Sequence, residues 1–477
     1  MIKRTLLAVA IGAALATPAF AHDFGNHQFG QKKSEIAFTP LWTHAHATPD
    51  QVSEIPAFDK RTNTIWIAGV VGVDVLDADT GALIEHIDVT PHGYINSVAI
   101  HNGLAAFAIE SLGDRRLPGT VLFYNTRTRA PAHGINQVEV GSLPDMLTFT
   151  HNGSKLLVAN EGTPNAIADA PYVAPDPVGS VSIIDMESRT LIATADMTGV
   201  PTSGSHLRTN TGMNFEPEYV AVDAEGEKAF VTLQEANGIG VIDLKENRFT
   251  QVIGLGAKDF SLPGNQIDPL DNGVVDFISA PVKGLYMPDS IAAYEWRGRT
   301  YTVMANEGDF REDNGDRSAA SSFGAVAPLN RLRVSNVDSS TGNLFAAGAR
   351  SFSIRDAAGN LVYDSGDILD KEAAARGIYD DGRSRDKGVE PEGVALLDIG
   401  GRTYAFIGLE RTTKAAVAVF DISTPSKAKF VDMIVTDGDL SPEGLAAYHY
   451  RGDFYLAIAN EVSNTTSLYR LDCVRKR

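Results

Sequence analysis

Alternating apolar and polar positions recur in short runs along most of the chain. Residues 442–448 and 455–461 give the clearest pair, in which a run opened by Pro442 and a run closed by Glu461 flank a short turn. Runs of this length, separated by turns rich in Gly, Asn and Asp, predict antiparallel β-strands. Helical patterns are nearly absent, and residues 371–376 are expected to form only a short turn.

An acidic repeat accompanies these strands. A Pro-acid step opens one strand, and an acidic residue closes the next one 17 to 19 residues after the Pro. A weaker copy runs from Asn96 to Glu110, and another begins at Glu54 without a closing acid. Internal repeats outrank local signals in deciding an architecture. The five full copies are Pro144-Asp145 with Glu161, Pro217-Glu218 with Glu235, Pro288-Asp289 with Glu307, Pro391-Glu392 with Glu410, and Pro442-Glu443 with Glu461.

The strands fall into seven groups, six of four strands and a seventh of three, a pattern typical of a β-propeller. The seventh group lacks its outer strand, and a separate strand at residues 36–42 can supply it, which leaves no open edge between the first and last blades. The sequence therefore predicts an all-β, seven-bladed β-propeller over residues 34–477, closed by an N-terminal strand. Blade five is expected to start with residues 288–294. Long loops are expected at residues 163–178, 258–282, 309–330 and 356–389.

The first residues have a different composition. Lys3 and Arg4 precede an apolar run and a small-residue cleavage pattern, which indicates a signal peptide over residues 1–21 and a flexible tail over 22–33. No other apolar run is long enough to span a bilayer. We therefore expect a periplasmic or extracellular protein, monomeric, whose single Cys473 forms no internal disulfide.

The net charge narrows the range of partners. The formal charge of −19 becomes −21 once Lys3 and Arg4 are removed. An acidic surface argues against nucleic acids and anionic membranes, and it favours cations or cationic groups. The alternative is that the charge serves only solubility.

The repeated acids are expected to converge. In a propeller blade, the start of the first strand and the end of the second lie on the same face, so each full copy places two carboxylates at one mouth of the channel. Glu110, Glu216 and Glu390 add to the same rim. Crowded carboxylates require protonation or cations. Oxygen ligands without a His or Cys cluster favour Ca²⁺, with Mg²⁺ as the alternative and the number of ions open. The predicted metal ligands are Glu161, Glu218, Glu235, Asp289, Glu307, Glu392, Glu410, Glu443 and Glu461.

Two simpler interpretations stay open at this point. In the first, each Glu accepts hydrogen bonds from backbone N–H groups and only stabilises the turn in which it lies. Basic residues also lie near the acids in sequence: Arg311 follows Asp309 by two residues, Arg411 follows Glu410 directly, and Lys387 belongs to a basic segment before the fourth Pro-acid step. Guanidinium groups facing metal-bound carboxylates suit a small anionic substrate such as a phosphoester. Asp309, Arg311, Lys387 and Arg411 are the predicted catalytic residues, unless the basic groups only neutralise the acidic ring.

Other reactive motifs are missing from the sequence. There is no Gly-x-Ser-x-Gly elbow and no Gly-rich phosphate loop that leads from a strand into a helix. The histidines show no metal-ligand spacing, and His44 and His46 are expected at an exposed strand end.

Several segments resemble the choice-of-anchor I domain family. They are residues 158–162, 216–222 with 229–235, 305–311, 384–393, 404–411 and 459–462, and the resemblance covers roughly residues 50–472. It implies a secreted bacterial β-propeller, some relatives of which are labelled alkaline phosphatases, with a more distant similarity to phytase-like and esterase-like propellers. The loop after Asp309 departs from the family pattern, because it lacks the Tyr expected after Arg-Glu, and no surface anchor is visible after Leu471.

Three functions are compatible with these patterns. The first is a divalent-cation-dependent phosphoester hydrolase that acts at the acidic mouth. The second is a non-catalytic ligand-binding or scaffold propeller in which Ca²⁺ only stiffens the rim. The third is a lactonase-like hydrolase of another small molecule at the same mouth.

Overall fold

The structure is a computed structural model that describes residues 36–163, 177–209, 215–311 and 315–473. Within these ranges the chain consists of β-strands with one α-helix and three short 3-10 helices, which confirms the all-β class. The predicted signal peptide and tail lie outside the described residues, as does most of the predicted loop 163–178.

The first three sheets each contain four antiparallel strands in chain order, after an initial strand β1 (Ile36–Ala45). The first sheet contains β2 (Ile55–Asp59), β3 (Thr64–Gly69), β4 (Gly72–Asp77) and β5 (Leu83–Asp88). The second contains β6 (Ile95–His101), β7 (Leu104–Ile109), β8 (Pro118–Asn125) and β9 (Gln137–Ser142). The third contains β10 (Pro144–Phe149), β11 (Lys155–Asn160), β12 (Ser180–Asp185) and β13 (Thr190–Asp196).

The fourth sheet has an extra strand that the sequence pattern did not predict. Strand β14 (Thr202–Ser205) pairs in parallel with the outer strand β18 (Arg248–Leu255), so this sheet has five strands. A four-residue exposed segment carries no recognisable period, which explains why it was missed. The remaining strands are β15 (Pro217–Val222), β16 (Lys228–Leu233), β17 (Gly238–Asp243) and β18 (Arg248–Leu255).

The fifth sheet is interrupted by insertions that form small sheets of their own. The predicted loops 258–282 and 309–330 contribute to a separate apolar cluster around Phe260, Ile267 and Leu332. The insertions contain β19 (Ala257–Asp259), β20 (Val282–Leu285), β23 (Arg317–Ala319), β24 (Arg333–Ser335) and β25 (Leu344–Ala346). The fifth sheet itself contains β21 (Ile291–Glu295), β22 (Thr300–Asn306), β26 (Ser351–Asp356) and β27 (Leu361–Asp364).

Strand β21 begins at Ile291, so the predicted start at residue 288 was three residues early. Met287 has a positive φ of 43°, a conformation outside the strand region, and the regular ladder therefore starts later. The N–H of Asp289 nevertheless donates to the carbonyl of Ala305 at 3.1 Å. The acidic residue keeps its place beside the neighbouring strand.

The last two sheets follow a single helix. Helix α1 (Ile368–Ala375) is longer than the short turn predicted at residues 371–376, and it buries Leu369 and Ala373. The sixth sheet contains β28 (Pro391–Ile399), β29 (Arg402–Leu409), β30 (Ala415–Asp421) and β31 (Lys429–Thr436). The last contains β32 (Pro442–Tyr450), β33 (Asp453–Asn460) and β34 (Thr465–Cys473).

Strand β1 completes the last sheet, as predicted. It pairs antiparallel with β34, from Ile36 opposite Cys473 to Ala45 opposite Thr465. Ile36 is fully buried in the apolar cluster between the sixth and last sheets. The two ends of the described chain are therefore held together by a full strand ladder and by apolar packing.

The first strands of consecutive sheets pack against one another in a closed series. The series is β2, β6, β10, β15, β21, β28, β32 and back to β2. Among the described residues, an apolar cluster fills each space between consecutive sheets, including the space between the last sheet and the first. This packing gives a propeller-like arrangement in which the starts of the inner strands lie near one another.

Candidate metal centre

The Pro-acid step forms a β-bulge at the start of the inner strand. The strand register shifts between Pro144 and Leu147 in the third sheet, and at the equivalent places in three other sheets. A bulge interrupts the alternation of side chains and redirects the extra residue. The acidic side chain is therefore released from the packed face of the blade and turned toward the centre.

The residue before the Pro has a left-handed backbone conformation in four copies. Leu143, Met287, Glu390 and Ser441 have φ values of 48°, 43°, 51° and 60°. A non-glycine residue in this region costs on the order of 1–3 kcal/mol and persists only where its surroundings enforce it. Such strain is concentrated at functional sites, and here it recurs two residues before each of four central acids.

A backbone hydrogen bond brings the closing acid next to this bulge. In three full copies the N–H of the closing Glu donates to the carbonyl of the residue before the Pro, and the weaker copy has the equivalent bond. The pairs are Glu161 with Leu143 (2.9 Å), Glu410 with Glu390 (2.9 Å), Glu461 with Ser441 (2.8 Å) and Glu110 with Tyr94 (2.9 Å). In these three full copies the two acids thus lie at the same end of the sheet, as the sequence predicted.

The Asn before the closing Glu has a structural role. Asn160 is fully buried, and its Nδ2 donates to the hydroxyls of Ser180 (3.2 Å) and Ser182 (3.0 Å) on the third strand of the sheet. Asn306 is also buried and donates to Ser351 at 3.3 Å. This bond anchors the end of the second strand and leaves the following Glu to face the centre.

Three overlapping groups of carboxylates form the centre. In each group the ligand oxygens lie within 4.8 Å of one another: Asp289, Glu307 and Glu392; Glu307, Glu390 and Glu410; Glu392, Glu410 and Glu443. They come from the fifth, sixth and last sheets. Glu218 and Glu235 lie close enough for their charges to interact with those of Glu161 and, respectively, Asp289 and Asp309.

Basic residues neutralise one sector of this ring. Lys387 Nζ lies 2.6 Å from Glu307 Oε1 and 3.0 Å from Glu390 Oε2. Arg383 Nη2 lies 2.5 Å from the other oxygen of Glu390. Arg411 completes this network of ion pairs, because its Nη2 lies 2.5 Å from Glu410 Oε1. The predicted alternative role of the basic groups, neutralising the ring, is therefore part of the observed geometry.

The other sector has no basic partner among the described residues. No Lys or Arg nitrogen there forms an ion pair with Asp289, Glu392 or Glu443. Glu392 Oε2 and Glu235 Oε2 are buried atoms without a hydrogen-bond partner in the described part of the chain. Buried carboxylate oxygens that lack a partner are costly. This sector carries the uncompensated charge.

The pKa values reflect this division. Burial, and then the charges of Glu410 and Glu443, raise the pKa of Glu392 well above its ordinary value. Burial, and then Glu307, raise the pKa of Glu410 to about 8, although Arg411 opposes the shift. Burial likewise raises the pKa values of Asp289 and Glu443. The pKa of Glu390 is instead held below its ordinary value, because Lys387 and Arg383 outweigh its burial.

The remaining predicted residues lie around this centre. Glu161 accepts a hydrogen bond from Thr163, and Arg115 lies 3.7 Å from it. Asp309 is 45% exposed and lies 4.0 Å from Lys387 Nζ. The charge of Glu461 raises the pKa of Glu443, which places it at the last sheet's end of the ring.

The other basic candidates have different surroundings. Lys387 is nearly buried, and despite that burial its pKa is raised by Asp309, Glu307 and Glu390. Arg411 is 39% exposed. Arg311 donates its backbone N–H to Asp316 at 3.2 Å. The structure thus brings Lys387 and Arg411 into the ring, whereas Arg311 lies on the neighbouring insertion.

In the described part of the chain, the centre also contains Tyr219 and Gln234, which were not predicted. Tyr219 follows the second Pro-acid step, and its pKa is raised by burial and then by the charges of Asp289 and Asp145, from two different sheets. Gln234 Nε2 donates to Glu307 Oε2 at 2.9 Å. Both residues directly neighbour a predicted acid in sequence, which is the only signal that pointed to them.

The donor set fits a hard divalent cation. Asp289, Glu392 and Glu443 offer only carboxylate oxygens, and two of the three close groups share Glu392. Ca²⁺ takes six to eight such oxygens in flexible geometry, whereas Mg²⁺ demands a near-ideal octahedron and retains waters. A partly solvated ring of several carboxylates satisfies the first ion more readily.

One histidine prediction was wrong. His46 was expected at an exposed strand end, but it is 7% exposed and bonded to Asp74 and Thr466. The strand continues to Ala45, and the chain then turns inward against the first sheet. The local pattern contains no information on partners 28 and 420 residues away.

Comparisons with known proteins agree with this architecture. The sequence profile of the Choice-of-anchor I domain matches residues 54–425, well over half of the chain. A search of curated proteins finds no match. Among solved structures, the chain is similar to hydrazine synthase from Kuenenia stuttgartiensis, with a TM-score of 0.52 and 12% identity over 90% of this chain and 98% of that one. It is also similar to a chain of the mitotic checkpoint complex, with a TM-score of 0.51 and 11% identity over 98% of this chain and 99% of that one. At such identities the likeness shows the fold alone.

The fold and the site define an all-β, propeller-like protein with an acidic centre. The chain belongs to the choice-of-anchor I domain family, as its sequence motifs predicted. Membership of this family indicates a secreted or cell-surface protein. In the part of the chain that the structure describes, no helix has the length and apolar character needed to cross a membrane.

Proposed function

We propose that this protein is a secreted, seven-bladed β-propeller that binds Ca²⁺ in its acidic centre and hydrolyses a small anionic ester of the phosphoester class. The closed series of seven inner strands and the completion of the last sheet by β1 support the blade number. The signal peptide, the cation and the reaction are parts of this proposal.

The observation that carries the proposal is the environment of Glu392. Its Oε2 is buried without a hydrogen-bond partner in the described residues, and its carboxylate belongs to two of the three close groups. A buried charge without a partner is costly by several kcal/mol. A divalent cation offsets the charges of several carboxylates at once, which protonation achieves only by discharging them one by one.

The residues of the chain divide into three roles. Asp289, Glu392 and Glu443 would hold the cation. Lys387 is fully engaged by two carboxylates, so its role is to fix Glu307 and Glu390 in position. Arg411, partly exposed at the same mouth, is suited to bind a substrate oxygen, with Arg311 as the second candidate.

The chemistry follows from this arrangement. When bound, the cation would supply Lewis-acid polarisation of a phosphoryl oxygen. Asp309 is the most exposed carboxylate beside Lys387, and it would accept a proton from the water that attacks phosphorus as the bond from phosphorus to the leaving alcohol oxygen breaks. The guanidinium of Arg411 would stabilise charge that develops on the substrate.

The test is hydrolysis of 4-nitrophenyl phosphate by purified protein in Ca²⁺ and in excess chelator. We expect turnover that requires Ca²⁺, that falls at least tenfold in Arg411→Ala and Glu392→Gln, and that persists in the exposed control Glu225→Gln. A parallel assay with simple lactones tests the lactonase-like alternative. Absence of turnover above the variants in every condition would refute the catalytic proposal.

A second function is favoured by one observation. Lys387, Arg383 and Arg411 already form ion pairs with the ring, which suits a non-catalytic binding or scaffold protein whose cation is structural. This function predicts the same gain in stability with Ca²⁺ but no ester turnover. The hydrolysis assay and a thermal melt on the same samples distinguish the two.

A further inference from the structure

A second cluster of metal-ligating side chains lies away from the acidic centre, where β1 meets the first sheet. His44 lies near the end of β1, and His46 is the first residue after that strand. Asp74 lies in β4 of the first sheet and is fully buried. One ligand atom from each of His44, His46 and Asp74 lies within 4.8 Å of the other two.

The two imidazoles are presented by a simple feature of strand geometry. Residues two apart on a strand point to the same face, so His44 and His46 lie side by side. Their ring centroids are 4.9 Å apart and the rings are nearly perpendicular. His44 is partly exposed, which gives a route from solvent, whereas His46 is buried.

The orientation of His46 is set by groups behind it. His46 Nδ1 lies 2.6 Å from Asp74 Oδ2, and His46 Nε2 lies 2.9 Å from the hydroxyl of Thr466. Thr466 is in turn held by Ser53 Oγ at 2.9 Å. A metal-ligating histidine usually donates its second ring N–H to such a partner, which fixes the tautomer and the ring plane. Here Thr466 holds Nε2, and Nδ1 faces Asp74 in a hydrogen bond that an entering ion would replace.

The carboxylate is also supported. The second oxygen of Asp74 lies 2.6 Å from Nδ1 of His86, on the adjacent strand β5. Asp74 is thus a buried carboxylate held between the imidazoles of His46 and His86.

We propose that His44, His46 and Asp74 form a binding site for a transition-metal ion of the Zn²⁺ class. Imidazole nitrogen with one carboxylate is a donor set for Zn²⁺ and its neighbours, in contrast to the oxygen-only acidic centre. Bonds of about 2.0–2.1 Å in a tetrahedron place ligand atoms roughly 3.4 Å apart. The observed atoms lie within 4.8 Å of one another, so His44 needs only a small side-chain movement to reach an ion. His46 Nδ1 and Asp74 Oδ2, now 2.6 Å apart in a hydrogen bond, would separate by about 0.8 Å and release their shared proton as the ion enters.

The location gives the site a structural consequence. His44 belongs to the strand that completes the last sheet, and His46 directly follows that strand. Thr466 lies on β34 of the same sheet, and Asp74 lies in the first sheet. A bound ion would join the last sheet to the first across the place where the ring closes. Metal binding would therefore stabilise closure, since an ion that binds only the folded state shifts the folding equilibrium toward it.

The experiment uses the purified mature protein, stripped with chelator and titrated with Zn²⁺ and Co²⁺. We expect one equivalent of tightly bound ion, a higher melting temperature, and visible Co²⁺ absorption bands typical of a four-coordinate site with nitrogen ligands. His44→Gln should weaken binding at least tenfold while its circular dichroism stays that of the wild type. His449→Gln, an exposed histidine on β32, is the matched control and should bind as the wild type does.

Further variants separate this site from the acidic centre. Glu392→Gln should retain Zn²⁺ binding, and His44→Gln should retain the response to Ca²⁺. His86→Gln, which acts only through Asp74, should weaken Zn²⁺ binding by about 10–100-fold. Folded wild-type protein that binds no Zn²⁺ or Co²⁺ overturns the proposal, as does binding that His44→Gln leaves unchanged. Neither result bears on the Ca²⁺-dependent function.

Discussion

The substitution Glu392→Gln removes one charge from the unneutralised sector of the acidic ring with almost no change of shape. Glu392 belongs to two close groups that also contain Asp289, Glu307, Glu410 and Glu443. In metal-free protein these carboxylates repel one another, and their pKa values are raised by burial and by each other's charges. We therefore expect the variant to be more stable than the wild type when no divalent cation is present.

The magnitude follows from the distances. Two unit charges 4.8 Å apart interact by about 3–4 kcal/mol at an effective dielectric constant of about 20. Protonation relieves part of this repulsion in the wild type, so a gain of about 2–4 kcal/mol at pH 8 is expected for the variant. In Ca²⁺ at about 100 times its dissociation constant, the wild type should gain about 2.7 kcal/mol. The variant should gain much less.

The assay is urea unfolding followed by tryptophan fluorescence at pH 8, in chelator and in Ca²⁺. Glu225→Gln removes an equal charge from an exposed turn and controls for net charge. The expected pattern is a crossing effect: Glu392→Gln is more stable in chelator and less responsive to Ca²⁺, whereas the control follows the wild type in both conditions.

Two outcomes would contradict the reasoning. If Glu392→Gln destabilises the chelated protein by more than the control does, its carboxylate has a favourable partner and the unneutralised sector does not exist. If the variant gains as much stability from Ca²⁺ as the wild type, the cation binds elsewhere.

Three further predictions concern pH, the basic network and ring closure. The pKa of Glu410 is raised from 4.5 to about 8 in the folded protein. Its contribution to stability is therefore complete below its pKa in the unfolded chain and is lost as the pH rises toward 8. In chelator, the unfolding free energy should fall between about pH 5 and pH 8 by up to about 1.4 kcal/mol per pH unit. Lys387→Ala should lower the unfolding free energy, measured with urea, by about 3–5 kcal/mol, because it leaves the buried carboxylate of Glu390 with less positive charge around it. Lys414→Ala, which removes an exposed ion pair with Asp437, should lower it by under about 1 kcal/mol. Ile36→Ala should cost about 2–5 kcal/mol and lower the melting temperature, and an unchanged melt would show that β1 does not contribute to closure.

The acidic centre was largely predictable because its signal is periodic. The spacing between Pro and closing acid recurs in every full copy, and strand geometry alone requires that the start of one strand meets the end of the next. The closing bonds of Glu161, Glu410 and Glu461 fulfil that requirement. The role of residues 36–42 was predictable for the same reason, since a seventh group with a missing strand implies a partner elsewhere.

The division of the ring could not be predicted from the period. All copies of the repeat have similar sequences, yet Lys387 neutralises Glu307 and Glu390 while Asp289 and Glu392 have no such partner. That difference arises because one long insertion returns to the mouth and delivers its basic residues to one sector. Where an insertion returns depends on its packing against the rest of the fold.

Residue periodicity determined by itself that this chain forms repeated antiparallel sheets, that an N-terminal strand completes the last one, and that acids accumulate at one end of them. Tertiary structure alone decided which carboxylates are neutralised, that the long insertions form sheets of their own, and that His46 meets Asp74 and Thr466. The physical reason is the range of the interactions. Strand formation and alternation act between near neighbours and leave a local pattern, whereas ion pairs and buried hydrogen bonds join residues hundreds of positions apart and leave none.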